Sequence, residues 1–371
     1  MTNSYSISYP RRTKRRTALC LVAKPLMSLL SRTIITGREN LPQSGPLILV
    51  GNHVAMIEVV LMVIHVPWFV EVLGVGDVPL DPTFALIINS YGFIPVNRGS
   101  MDRKGMTMAL DVLAQNGVIG IFPEGGIWEA NLKQARSGVA WLSSKANAPI
   151  MPIGFGGMDG AIGAMAAFKR PQLIMNIGQV IPSIQEDAAG KTRKQALADG
   201  ADLVMARVEA LIPPEEKERW QKICEEHFEL TISVNRADGV SMDVPRHLTI
   251  SEEESLAKFF HRPVLLNTLA RNVKLPVQPL QHLATEHNPA LIADATQVVL
   301  DYLGQNPYYL TYRFGNEGGM AMQNGLVQLR DLARWAGEAG HILTIKPIRR
   351  YRYADSDEEI VEESVTAAHK M

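Results

Sequence analysis

Cysteine is scarce: Cys20 and Cys224 are the two in 371 residues, so no disulfide framework is expected and a reducing compartment is the default. Long apolar runs are missing as well. No stretch reaches the roughly 18 uncharged apolar residues that mark a transmembrane helix. Nor does charge of one sign dominate, because 37 Lys and Arg stand against 38 Asp and Glu for a net charge of -1. That balance argues against a nucleic-acid partner, which needs a broad basic surface. Several catalytic signatures are absent. There is no Gly-x-Ser-x-Gly elbow for a serine hydrolase. Gly154-Phe155-Gly156-Gly157-Met158-Asp159-Gly160 lacks the dinucleotide spacing, and His282 and His287 stand five apart, wrong for a zinc-protease helix that Pro289 would end anyway. No metal site or cofactor is expected.

What remains is an ordinary globular composition, 46% hydrophobic and 20% charged, long enough for two domains or for one large domain with a smaller one. Short apolar runs at 46–51, 69–75, 93–98, 118–122, 148–155 and 172–180 alternate with helical patterns near 54–66, 83–90, 102–116, 133–147 and 193–211. Such alternation predicts an α/β layer, a largely parallel or mixed central sheet flanked by helices. Ile212-Pro213-Pro214 marks a break. Beyond it, 215–229 reads as a charged helix, 256–272, 290–303 and 326–339 as further helices, and the last dozen residues as a solvated acidic tail. The expected organisation is therefore 1–36, 37–212 and 213–371, the last a mainly helical extension without assigned chemistry.

Charge is unevenly placed within that plan. Residues 1–36 carry Arg11, Arg12, Lys14, Arg15, Arg16, Lys24 and Arg32 and no acid. Beside them Leu26, Met27, Leu29, Leu30, Ile34 and Ile35 could enter a membrane interface, while the basic residues attract anionic lipids at about 1 kcal/mol each. Two readings stay open: an amphipathic membrane-surface anchor, or a packing helix with a solvated basic tail. The first places the protein peripherally, on the cytoplasmic face of a membrane.

The most informative stretch is Ile48-Leu49-Val50-Gly51-Asn52-His53-Val54-Ala55-Met56-Ile57-Glu58, a buried strand that turns into a helix. A histidine at such a corner can take a proton from a hydroxyl, and a carboxylate can hold its tautomer. Residues five apart diverge by about 140° on a regular helix. His53 and Glu58 therefore meet only if His53 precedes the helix and Glu58 folds back from its first turn. Taken singly, this pair equally fits a helix cap or a surface polar pair.

Three more blocks follow in order: Phe93-Ile94-Pro95-Val96-Asn97-Arg98-Gly99, Ile121-Phe122-Pro123-Glu124-Gly125-Gly126, and Ala148-Pro149-Ile150-Met151-Pro152-Ile153-Gly154. Together with Asn52-His53-x4-Glu58 they resemble the glycerolipid (lysophospholipid) acyltransferase family over about residues 20–212, and Gly37-Arg38-Glu39-Asn40-Leu41-Pro42 is a similar lead-in. The resemblance implies a 1-acylglycerol-3-phosphate acyltransferase-like fold and activity. His53 would deprotonate the acceptor hydroxyl, which attacks the thioester of acyl-CoA or acyl-carrier protein, and Glu58 would orient His53. Arg98 would bind the phosphate of a lysophospholipid acceptor, with Asn97 and Gly99 shaping its loop. Glu124 and Gly125 would complete the acceptor site, and Pro152 would line the acyl side. The residues agree with this physically, since arginine presents a planar fork to phosphate oxygens. One departure is Glu58, where the family usually has aspartate. It keeps open an alternative, a non-catalytic or weakly active lipid-binding protein on the same scaffold.

Overall fold

In the computed structural model, residues 6–76, 82–97, 102–124, 137–186, 190–218, 223–273, 287–354 and 356–363 are described. They fall into two compact units that meet in sequence near residue 220.

The first unit is built on a seven-stranded sheet. Its strands are β1 (Arg32–Thr36), β2 (Leu47–Gly51), β3 (Val70–Val75), β4 (Ile94–Val96), β5 (Val118–Ile121), β6 (Ile150–Gly156) and β7 (Gln172–Ile177), in the order β1-β7-β6-β2-β5-β3-β4. Strands β6, β2, β5, β3 and β4 run parallel, β7 is antiparallel to β6, and β1 is parallel to β7. The sheet is thus mixed and largely parallel. Both faces are covered, as buried parallel strands require. Helices α1 (Thr13–Leu30), α2 (Ile57–His65) and α6 (Ala161–Ala166) pack on one face; α4 (Arg103–Ala114), α5 (Gly138–Ala146) and α7 (Arg193–Leu211) pack on the other. Between α2 and α4 in the chain lies α3 (Pro82–Tyr91).

Strand β2 shows why this layer is stable. Leu47 and Leu49 point into one core, Ile48 and Val50 into the other, and none of the four is exposed. Each such burial stabilises by about 1.5–3 kcal/mol. The corner after β2 is therefore carried by the best anchored strand of the sheet. Gly51 ends it because the ring of Phe155 approaches so closely that a Cβ at 51 would lie 2.6 Å from it.

The N-terminal segment is built into the fold of the first unit. Residues 32–36, including Ile34 and Ile35, pair with β7 as the edge strand of the sheet. Arg16 is fully buried and forms a two-pronged ion pair with Glu71, itself buried, at 2.6 and 2.8 Å; Arg11 adds a second cation at 2.9 Å. Arg16 also donates to the Tyr91 carbonyl and lies over the Tyr91 ring. Glu71 sits inside an apolar strand and needs a counter-charge there. Two residues of the basic tail are thus committed to the core. The exposed apolar residues of α1, Leu21, Val22, Leu26 and Leu29, share one face of that helix.

The second unit holds the expected helices and a sheet that composition had hidden. Its helices are α9 (Glu253–Phe260), α10 (Pro263–Asn272), α11 (Pro289–Gln305) and α12 (Tyr308–Glu338), the last kinked at Gly315, whose φ of 77° suits glycine. Pro263 splits the single helix read over 256–272. The charged helix read over 215–229 shrinks to α8 (Pro214–Glu218), and Ile223–Asn235 is strand β8. With β9 (Ser241–Met242), β10 (Ile342–Tyr353) and β11 (Glu359–Glu362) it forms an antiparallel sheet in the order β11-β10-β8-β9. The acids that read as a helix face and as a tail are cross-strand partners of arginines: Arg349 with Glu226 and Glu362, Arg350 with Glu229 and Glu359, Arg352 with Glu225 and Asp357. No helix among the described residues is long and apolar enough to cross a membrane.

Candidate active site

The helix read over 54–66 begins at Ile57, leaving 52–56 as a non-helical corner. That offset settles the geometry. Glu58 lies in the first turn of α2, and its side chain returns toward the corner instead of pointing along the helix. Its Oε1 is 2.9 Å from His53 Nδ1 and accepts hydrogen bonds from the backbone N–H groups of Val54 at 2.6 Å and Ala55 at 2.7 Å. One oxygen thus gathers the imidazole and two amides of the corner. The carboxylate is fully buried, and its Oε2 has no partner among the described residues. A negative charge there is favoured by the positive end of the helix dipole.

With Nδ1 held by an acceptor, the neutral ring carries its proton on Nδ1 and presents Nε2 as a base. The ring is part-exposed, 13% against none for Glu58. It stacks on Phe122 with centroids 4.5 Å apart and 29° between planes, and Phe122 in turn meets Phe155. This packing restricts the imidazole to one orientation.

Glu124 follows β5 and reaches the same corner, its Oε1 accepting the backbone N–H of His53 at 2.8 Å. Its observed contact therefore fixes His53. Asn52 is 3% exposed and bonds both ways to the backbone of Phe155, donating to its carbonyl at 3.1 Å and accepting its N–H at 2.8 Å. That pair extends the β2–β6 ladder by one residue and ties the corner to β6. Asn97, after β4, donates its N–H to Asp102 Oδ2 at 2.8 Å, while Asp102 Oδ1 caps α4 through the N–H of Gly105 at 2.9 Å. Asp102 thereby ties the end of β4 to the start of α4. Arg98, Gly99 and Gly125 lie outside the described residues. Pro152 is buried within β6 opposite Val50, and it packs against Gly178.

The structure thus brings His53, Glu58 and Glu124 to one corner. Reading along the chain missed Asn52, Phe122 and Asp102. The first two sit inside quoted blocks, next to His53 and Glu124. Asp102 carried a signal in its spacing, an aspartate three residues before a glycine at the start of a helical pattern, which is a cap. Among the described residues no group of three or more metal-ligating side chains is assembled.

Comparisons with known proteins address the same segment. The family model described as Acyltransferase matches residues 32–156, which hold His53, Glu58 and Glu124. The 1-acyl-sn-glycerol-3-phosphate acyltransferase of Borreliella burgdorferi is 29% identical over 96 residues, covering 25% of this chain and 38% of that protein. Among solved structures, the 1-acyl-sn-glycerophosphate (LPA) acyltransferase PlsC of Thermotoga maritima aligns with a TM-score of 0.42 and 16% identity, over 58% of this chain and 86% of its own.

Proposed function

We propose, from the match of residues 32–156 to the acyltransferase family model, that this chain moves a fatty acyl group from a thioester, acyl-CoA or acyl-carrier protein, to the hydroxyl of a phosphate-bearing lysolipid such as 1-acylglycerol-3-phosphate. The observation that carries the reading is the 2.9 Å contact of His53 Nδ1 with a fully buried Glu58. In the proposed step Nε2 of His53 takes the acceptor hydroxyl proton as the oxygen attacks the thioester carbonyl. The tetrahedral intermediate then collapses, the C–S bond breaks, and the imidazolium returns the proton to the leaving thiolate. An ester and a free thiol result, with no outside reactant. Glu58 keeps the imidazole in its Nδ1–H tautomer and stabilises the imidazolium. At 2.9 Å the longer glutamate side chain reaches as an aspartate would.

Arg98 supplies the fork for the acceptor phosphate, with Asn97 and Gly99 forming its loop, Gly125 beside Glu124 at the acceptor, and Pro152 on the acyl side. The protein works at the cytoplasmic surface of a membrane. Lys14, Arg15 and Lys24, all exposed, face anionic lipids there, and Leu21, Val22, Leu26 and Leu29 enter the interface. Because β1 and Arg16 belong to the fold, this part is tested with Leu→Asn and Val→Asn substitutions on that face rather than by deletion. Reduced sedimentation with vesicles is expected, and unchanged sedimentation refutes it.

The direct test is acyl transfer from oleoyl-CoA to lysophosphatidate. His53→Ala should reduce kcat by about 10²–10⁴-fold. Arg98→Gln should instead raise KM for the phosphate-bearing acceptor. No transfer by the unmodified protein to any phosphate-bearing lysolipid would favour the non-catalytic lipid-binding alternative.

A further inference from the structure

Helix α2 has chemistry at both ends. Its first turn carries Glu58, and its last residue is His65, about 10 Å of helix rise away. Both ring nitrogens of His65 are buried from solvent and make no hydrogen bond to any described residue. Such orphaned polar atoms in a folded protein call for an explanation, commonly a bound ion or water. His65 lines a cavity of about 480 Å³, within the range of small-molecule sites.

The other walls are cationic and hydroxylic. Arg32, Arg38 and Arg170 line the cavity together with the hydroxyls of Ser31 and Thr33, and no carboxylate is among the lining residues. Arg32 and Arg38 make no ion pair with any described acid, unlike Arg11 and Arg16 on the same N-terminal segment. Arg170 is held in place by donating to the Ser28 carbonyl at 3.1 Å, and its φ of 48° turns the chain there. Burial first, and then the charges of Arg38 and Lys24, hold the His65 pKa down at about 4.

Three guanidinium groups beside an imidazole form a receptor for phosphate oxygens, since arginine presents paired donors, while the Ser31 hydroxyl is spent on the Met27 carbonyl at 2.6 Å and lies 3.1 Å from that of Thr33. Leu26 and Leu29 stand exposed on the turns of α1 that lead into this wall. An apolar ledge beside a phosphate receptor fits an amphiphile better than a free ion. We propose that this cavity is a second lipid site, separate from His53, which holds the phosphate of an anionic phospholipid head group between Arg32, Arg38 and Arg170 while the acyl chains lie along α1. The site requires no acyl transfer, so it stands or falls apart from the reading above.

The test uses the full chain and two probes. In flotation with phosphatidylcholine vesicles containing phosphatidate, the pair Arg38→Gln and Arg170→Gln should weaken binding about thirtyfold, from two phosphate-facing charges. The pair Lys194→Gln and Arg207→Gln, exposed on α7 across the sheet from α1 and losing the same charge, should weaken it clearly less. In parallel, ¹⁵N resonances of the His65 ring should shift toward the protonated form on adding a short-chain phosphatidate, and at much higher concentration on adding inorganic phosphate. Equal loss for both variant pairs, or a His65 ring unmoved by either probe, overturns the site. Equal potency of inorganic phosphate and the lipid overturns the head-group assignment. Transfer to a detergent-dispersed acceptor should be unchanged in Arg38→Gln.

Discussion

At the level of single side chains, Glu58 is the decisive residue. One of its oxygens serves both the imidazole and two backbone amides, so the proposed catalysis and the stability of the corner are tied to the same atom. Glu58→Gln retains the shape but loses the charge that favours an imidazolium. A fall in kcat of about 10²–10⁴-fold is expected, read by steady-state transfer assays. Glu58→Ala leaves two amides without their acceptor and should also lower unfolding free energy by about 1–3 kcal/mol for each that stays buried. His65 yields a pH prediction. Its folded pKa is near 4 against the ordinary 6.5, so between these values the unfolded chain binds the extra proton. The stability His65 contributes is complete above 6.5 and is lost as pH falls toward 4. His65→Gln should flatten the dependence of the urea midpoint on pH across that window.

At the level of elements, the register between strand ends and helix starts carries the site. Chain-wise periodicity located β2, β5 and β6 and the helix after β2. It placed that helix about one turn early, because the apolar residues Val54 to Met56 continue the pattern while the Glu58 carboxylate takes their amides. Helix α1 is anchored through an ion pair that neither reading of a basic segment anticipates. Its partner Glu71 lies on a strand 55 residues away. Arg16→Met leaves Glu71 buried beside Arg11 alone and should cost about 3–5 kcal/mol in urea unfolding. Adding Glu71→Leu should restore part of it, since the orphaned charge is then gone.

At the level of the whole molecule, each unit has cores of its own, two sandwiching the first sheet and one in the second unit between its sheet and helices. Differential scanning calorimetry should accordingly resolve two transitions, with Arg16→Met shifting one and leaving the other in place. The second unit was the less legible. Its β8 alternates apolar Phe228, Leu230, Ile232 and Val234 with polar residues, a strand pattern. The acids within it, Glu225, Glu226 and Glu229, resemble a helix face until Arg349, Arg350 and Arg352 are known to lie across from them.

The candidate site blocks and the alternating α/β layer follow from local order in the chain, because apolar period and block spacing are properties of neighbouring residues. Packing alone decided that Glu58 folds back onto His53, that Arg16 belongs to the core, and that Arg32, Arg38 and Arg170 share a cavity with His65. Each of those depends on charges from distant positions being brought within a few ångströms, and no local pattern encodes a partner that is elsewhere in the chain.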